Sequence, residues 1–450
     1  METHEELERG LKNRHVQLIS IGGAIGTGLF LGAGKTIQLA GPSILLSYAI
    51  TGGVIFLIMR ALGELMLSNL NYHSFLDFIA DYLGKKAAFV TGWTYWFCWI
   101  SIAMADLTAT GMYVRFWAPN VPQWLPELIA LIILLGLNLV AVGLFGEMEF
   151  WFALIKVIAI VALIVVGAFM IFTSYKTSAG HVAVSNLWHY GGFFPKGAKG
   201  FMLSFQMATF AFCGVELVGL IGGETSDPET VLPKAIDNIP IRIILFYLGS
   251  LFVIMSIYPW SSLSADQSPF VQVFSEIGIV AAASIVNLVV LTSAMSACNS
   301  AIYSTGRMVR SLAQEGSAPS RFKKLTTHKV PGQALVFSTL VIFIAVLLNF
   351  FMPSGVFAMV SSIATICFLF IWGMIVFTHS KYRKQNPDKV AKSNFKLHLF
   401  PYTSYIIYAF LAFVLVVLAL AADTREALIF SPIWFIVLLV IYHLKFERKG

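Results

Sequence analysis

The sequence predicts an all-α membrane protein of twelve transmembrane helices, and three observations carry that prediction. Of the 450 residues, 58% are hydrophobic and 12% charged, whereas about a quarter of a soluble domain is charged. Mean hydropathy is +0.80. The apolar residues collect into runs near 16–40, 43–67, 88–117, 125–143, 150–173, 200–222, 240–261, 280–306, 333–352, 355–378, 402–421 and 428–445. Each is long enough to cross a hydrocarbon core of about 30 Å at about 1.5 Å per helical residue. The third observation is that roughly four-fifths of the Lys and Arg residues lie in alternate loops and at the two ends of the chain. An even number of spans puts both termini on one side, and the basic bias makes that side cytoplasmic. The expectation is a multi-pass protein of the cell membrane.

The net charge of +7 is explained by these loops without a nucleic-acid partner. Met1 to Arg14 has no basic n-region followed by a small-residue cleavage site, so the first apolar run is expected to be a true span rather than a removed signal. Cys98, Cys213, Cys298 and Cys367 each sit inside an apolar run, with no Cys-x-x-Cys and no His at metal-ligand spacing. They read as small buried hydrophobes, with no disulfide framework, metal or cofactor implied.

The first span contains Ile21-Gly-Gly-Ala-Ile-Gly-Thr-Gly28. Glycine weakens a helix interior by about 1 kcal/mol relative to Ala, so four of them predict either a helix broken near the bilayer midplane or, through Gly22-x-x-x-Gly26, a face for close helix packing. A broken helix is tolerated in lipid only where protein or a cavity satisfies the freed N–H and C=O groups. Its positive end can then hold a carboxylate and its loosened carbonyls a cation. Span two opens on Gly41-Pro42 and closes on Arg60-Ala-Leu-Gly-Glu64, where Arg60 and Glu64 at i, i+4 are expected to pair.

Span three carries aromatics at 93, 95, 96, 97 and 99, too deep to form only an interfacial belt, and then Asp106 near its middle. A carboxylate there is costly, by at least about 2.5 kcal/mol, so it must face the interior, be paired or be protonated. Lys156 lies about two turns into span five, seven residues after Glu149. It either snorkels to the surface or faces a central cavity as a titratable group, with Glu149 a stretched partner. Span six repeats the interruption of span one at Ala211-Phe-Cys-Gly214-Val-Glu216, and Gly222-Gly223-Glu224 follow. Interrupted first and sixth spans point to two five-helix inverted repeats. In span eight Thr292, Ser296, Asn299 and Tyr303 share one helical face, serving interhelical hydrogen bonds or lining the cavity. The last two spans lack buried charge and are expected at the periphery.

Taken together, Ile21 to Phe30, Gly41-Pro42 to Gly63-Glu64, Phe145-Gly-Glu-Met-Glu-Phe-Trp-Phe-Ala-Leu-Ile-Lys156 and Gly223-Glu-Thr-Ser-Asp-Pro228 resemble the amino acid/polyamine/organocation permeases, from about Gly10 to the last span. Within them the chain is similar to the bacterial amino acid transporter group, in the branch that carries D-alanine, D-serine and glycine, through Thr91 to Trp99, Ile239 to Ile244, Pro259 to Ser262 and Leu291 to Ala294. The resemblance implies a leucine-transporter-like fold, with a ten-helix core at 16–378 between short cytoplasmic ends at 1–15 and 447–450. A cytoplasmic loop at 379–401 and two peripheral helices at 402–446 complete it. It implies a substrate carboxylate at the N–H groups around Ile25, Gly26, Thr27 and Gly28, an amino group at carbonyls near Ala211, Phe212 and Gly214, and Phe212 as a cover. Lys156 matches the lysine proposed to replace a sodium ion; in the mechanism expected here Glu216 or Asp106 shares the proton load. Asp106 stands where many relatives carry Glu. The expected activity is inward symport of a small neutral amino acid with a proton. Exchange, sodium coupling and another amino acid of the same family are the alternatives. The spans carry no catalytic Ser/His/Asp or HExxH pattern, so an enzyme is not expected.

Overall fold

The computed structural model describes residues 25–72, 74–140, 145–177, 180–217, 227–264, 267–276 and 280–447, without the side chains of 145–148, 276, 280 and 447. The architecture is a helical bundle. Two short helices, α1 (Thr27–Phe30) and α2 (Gly32–Ala40), lead through the tight turn Gly41–Ser43 into α3 (Ile44–Ser68). The turn is compact because Gly41 takes a φ of 60°, and a Cβ there would lie 2.4 Å from Pro195 Cγ. Next come α4 (Phe75–Leu83), α5 (Lys85–Val114), α6 (Trp124–Val140) and α7 (Phe145–Phe172). A small antiparallel pair, Lys176–Thr177 with Gly180–His181, leads to α8 (Gly197–Phe210) and α9 (Pro228–Asp237). A continuous helical stretch then runs from Ile239 through a π-helical segment, Ile243–Gly249, into α10 (Ser250–Ile257). The rest comprises α11 (Val280–Gln314), α12 (Gly332–Phe351), α13 (Val356–Gln385), α14 (Tyr402–Leu420) and α15 (Ala422–Tyr442).

Every one of the twelve predicted apolar runs overlaps a helix. Among the described residues, nine helical stretches are long and apolar enough to cross a membrane, and Trp124–Val140 is a shorter apolar helix. Part of the difference arises because α2 and α3 join so tightly that Gly32–Ser68 forms one stretch, and part because the run at 200–222 stops being α-helical after Phe210.

Helix α5 is the hub. It packs against α4, α6, α11, α12 and α13, which explains why its sequence is apolar around its whole circumference rather than along one stripe. Its neighbours are fastened by buried polar pairs, which hold helices together where lipid offers no hydrophobic contrast. Trp96 Nε1 donates to Ser338 Oγ at 3.0 Å, Asn349 Nδ2 to Thr108 Oγ1 at 2.9 Å and Asn287 Nδ2 to the Tyr113 carbonyl at 2.9 Å. The four cysteines are free and buried. Helix α15 lies at the edge with most of its surface exposed, tied to α2 by the ion pair between Lys35 and Asp423.

One expectation is corrected at the end of α3. Instead of pairing with Glu64, Arg60 reaches Asp237 Oδ1 and the Lys396 carbonyl, both at 2.7 Å, and lies over the Phe395 ring. Glu64 is taken by α13: Arg383 grips both its oxygens, at 2.9 and 2.7 Å, and His379 Nε2 sits 2.9 Å from Oε2. The backbone N–H of Leu397 adds a further bond to Oε2 at 2.7 Å. A buried carboxylate is stable only with such a full set of donors, and an exposed i, i+4 pair cannot supply it. The loop after α13 is thereby sealed against the bundle.

Candidate functional site

The site is built where the first and sixth predicted spans depart from helix. Gly26 is extended, with φ −126° and ψ −165°, and caps a helix that starts only at Thr27, midway along the apolar run. Gly22 and Gly23 lie outside the described residues. The first turn of a helix leaves its N–H groups without intrahelical partners and carries partial positive charge. In α8 the helix ends at Phe210, residues 211–216 form turns, and Gly214 takes a φ of 95°, a left-handed conformation that side chains disfavour. Gly222, Gly223 and Glu224 lie outside the described residues.

The two departures meet. A Cβ on Gly28 would lie 2.6 Å from Ala211 Cα, and one on Gly32 would lie 2.5 Å from Met207 Sδ. A Cβ on Gly26 would meet nothing within 4 Å among the described residues. Gly28 and Gly32 thus serve close packing, whereas Gly26 has no described neighbour at that distance; the Gly22-x-x-x-Gly26 face weighed from sequence is outside the described residues at Gly22. Ile25 and Thr27 are buried beside Gly26.

Two polar systems adjoin this junction. In the first, Thr27 Oγ1 donates to Asp106 Oδ1 at 2.7 Å, and the Thr27 backbone N–H faces the same carboxyl. Asp106 Oδ2 has no hydrogen-bond partner among the described residues. Asp106 and Glu149 are the acids whose charges act on Lys156, and Ser296 Oγ donates to Glu149 Oε2 at 2.9 Å. Lys156 is 1% exposed, so it faces inward and does not snorkel. In the second system, Glu216 is fully buried beside Trp372 and accepts from Tyr95 Oη at 3.3 Å. The structure thus joins Lys156 with Asp106 and Glu149, and sets Glu216 in a separate surround of span-three and span-ten aromatics.

The remaining predicted residues fall as follows. Phe212 is buried and stacked on Tyr247, with centroids 4.6 Å apart, and Tyr48 flanks both rings. Tyr247 Oη donates to the Ala211 carbonyl at 2.9 Å. Asn299 Oδ1 accepts from Asn138 of α6 at 2.7 Å, and Thr292 bonds the Val289 carbonyl of its own helix. Of the span-eight face, Ser296 is brought to the Lys156 cluster by its hydrogen bond to Glu149. Sequence reasoning missed Tyr48 and Tyr247, whose only signal was a hydroxyl inside otherwise aliphatic runs.

The profile of the amino acid permease family matches residues 15–449. The chain belongs to the amino acid permease family. Its relatives are transporters, not enzymes. It is 65% identical over 441 residues to "Uncharacterized transporter YdgF" of Bacillus subtilis, covering 98% of this chain and 96% of that one. It is 60% identical over 444 residues to "Amino-acid permease AapA" of the same organism, covering 99% and 96%. It is 51% identical over 437 residues to the "D-serine/D-alanine/glycine transporter" of Escherichia coli K12, covering 96% and 93%. As a permease it takes an amino acid as substrate and is embedded in the membrane.

Proposed function

We propose that this permease imports small neutral amino acids, D-alanine, D-serine and glycine above all, by symport with a proton across the cell membrane. In this reading its twelve spans form two five-helix inverted repeats followed by two peripheral helices, and both termini are cytoplasmic. The carboxylate of the substrate meets N–H groups around Gly26, Thr27 and Gly28, and its ammonium meets carbonyls around Ala211 and Gly214. The observation that carries the reading is the contact of Gly28 with Ala211, beside a Gly26 that no described atom crowds. It brings a helix N-terminus against an unwound carbonyl segment.

Coupling follows from charge. The Asp106 carboxyl shares the start of α1 with the expected position of the substrate carboxylate. Two negative charges there would repel, and a proton on Asp106 relieves the clash. Lys156 and Glu149 complete a cluster whose proton occupancy biases the inward–outward equilibrium, provided that the two conformations bind the proton with different affinity. Support for the substrate class comes from the E. coli relative, whose name states those amino acids.

A competition panel against labelled glycine in sodium-free proteoliposomes, with and without a protonophore, tests this. Strong competition by D-alanine and D-serine and collapse of accumulation by the protonophore are expected. Competition led by aromatic amino acids, proline or 4-aminobutyrate would reassign the substrate. Protonophore-insensitive exchange would remove the symport.

A further inference from the structure

We propose that Tyr247 is a positioning residue that latches the span-six break and so sets the affinity of the site; this rests on the substrate reading above. Tyr247 lies within the π-helical segment Ile243–Gly249. A π turn is wider than an α turn, is rare, and is frequent at functional sites. Helix α3 allows the segment close: a Cβ on Gly52 would lie 2.8 Å from Ile243 Cδ1. Tyr247 makes two contacts at one place, a hydrogen bond to the Ala211 carbonyl and a ring stack on Phe212 with planes 25° apart. Tyr48 of α3 backs the stack, 5.9 Å from Tyr247 and 6.2 Å from Phe212 between centroids.

The carbonyl of Ala211 follows the last helical residue of α8, where no continuing helix supplies an N–H donor. A carbonyl oxygen has two lone pairs. The Tyr247 hydroxyl takes one and fixes the direction of the other, which leaves it aimed for an ammonium group. Because the Ala211 backbone presses on Gly28, the same bond holds the α1 start in register with the carbonyl segment. Loss of the hydroxyl therefore loosens both halves of the cradle while leaving the proton cluster of Asp106, Lys156 and Glu149 untouched.

Two readouts on Tyr247→Phe and Tyr247→Leu test the latch. The first needs no substrate: Cys213, two residues from Ala211 and buried, is alkylated with N-ethylmaleimide and followed by peptide mass spectrometry. Losing one hydrogen bond is expected to raise its rate about 2- to 10-fold in Y247F, and further in Y247L, which also loses the stack. The second is transport: Y247F raises KM for glycine by a similar factor, with maximal rate and protonophore sensitivity kept. An unchanged Cys213 rate and unchanged KM in Y247F would overturn the latch. Failure of the wild type to take up any amino acid would strike the substrate reading instead, and the alkylation readout would still decide the latch.

Discussion

Thr27 Oγ1 and Asp106 Oδ1 are 2.7 Å apart, a bond that ties the first helical residue after the span-one break to the middle of the central helix. It joins the expected position of the substrate carboxylate to the acidic neighbour of Lys156. A hydrogen bond of this kind contributes about 0.5–1.5 kcal/mol, and more while the carboxyl is ionised; the second Asp106 oxygen has no partner among the described residues. Thr27→Val keeps the shape and removes the donor. It is expected to weaken glycine binding about tenfold, as measured by binding to purified protein, and to lower the melting temperature.

Lys156→Ala separates coupling from binding. With the ammonium gone, Asp106 and Glu149 lose the cation that acts on them, and their proton affinity is expected to stop differing between the two conformations. Counterflow exchange of labelled glycine is expected to persist while uphill accumulation falls to the equilibrium level. Undiminished accumulation in that variant would take Lys156 out of the mechanism.

The glycines of the break give opposite outcomes under the same substitution. Gly28→Ala places a methyl group 2.6 Å from Ala211 Cα, so the two segments must part. The variant is expected to lose uptake and to alkylate faster at Cys213. Gly26→Ala meets nothing within 4 Å among the described residues, and its φ of −126° suits alanine. It is expected to fold with a wild-type melting temperature, yet to bind less well as the amino acid grows, because the methyl group enters the expected position of the substrate.

Glu64→Gln probes the seal rather than the site. Removing one partner of a buried ion pair is destabilising by about 3–5 kcal/mol because the other charge is left uncompensated. The variant leaves Arg383 and the Leu397 N–H facing a neutral amide. A drop of several degrees in melting temperature is expected, with KM for glycine unchanged in whatever protein remains folded. A shift in KM alone would place Glu64 in the transport cycle.

Much of this was legible in the sequence where physical cost is local. Glycines in a span, a carboxylate and an ammonium at membrane depth, and cysteines in apolar runs each announce themselves against an unforgiving solvent. Partnership was less legible. Glu64 sits four residues from Arg60, but its partners lie more than 300 residues away on α13, and chain-local spacing holds no trace of that. Ser296 was read on a polar face, yet only the packing of α11 on α7 delivers it to Glu149. Tyr247 was hidden because a π turn leaves the composition of Ile243–Gly249 indistinguishable from any aliphatic helix.

The position of a bound substrate tests the central claim most directly. In an experimental structure of the protein with D-alanine, the carboxylate is predicted within hydrogen-bonding distance of N–H groups at Thr27 or Gly28 and the ammonium within reach of the Ala211 or Gly214 carbonyl. D-alanine bound elsewhere, with the junction of the two broken spans filled by protein, would contradict the account.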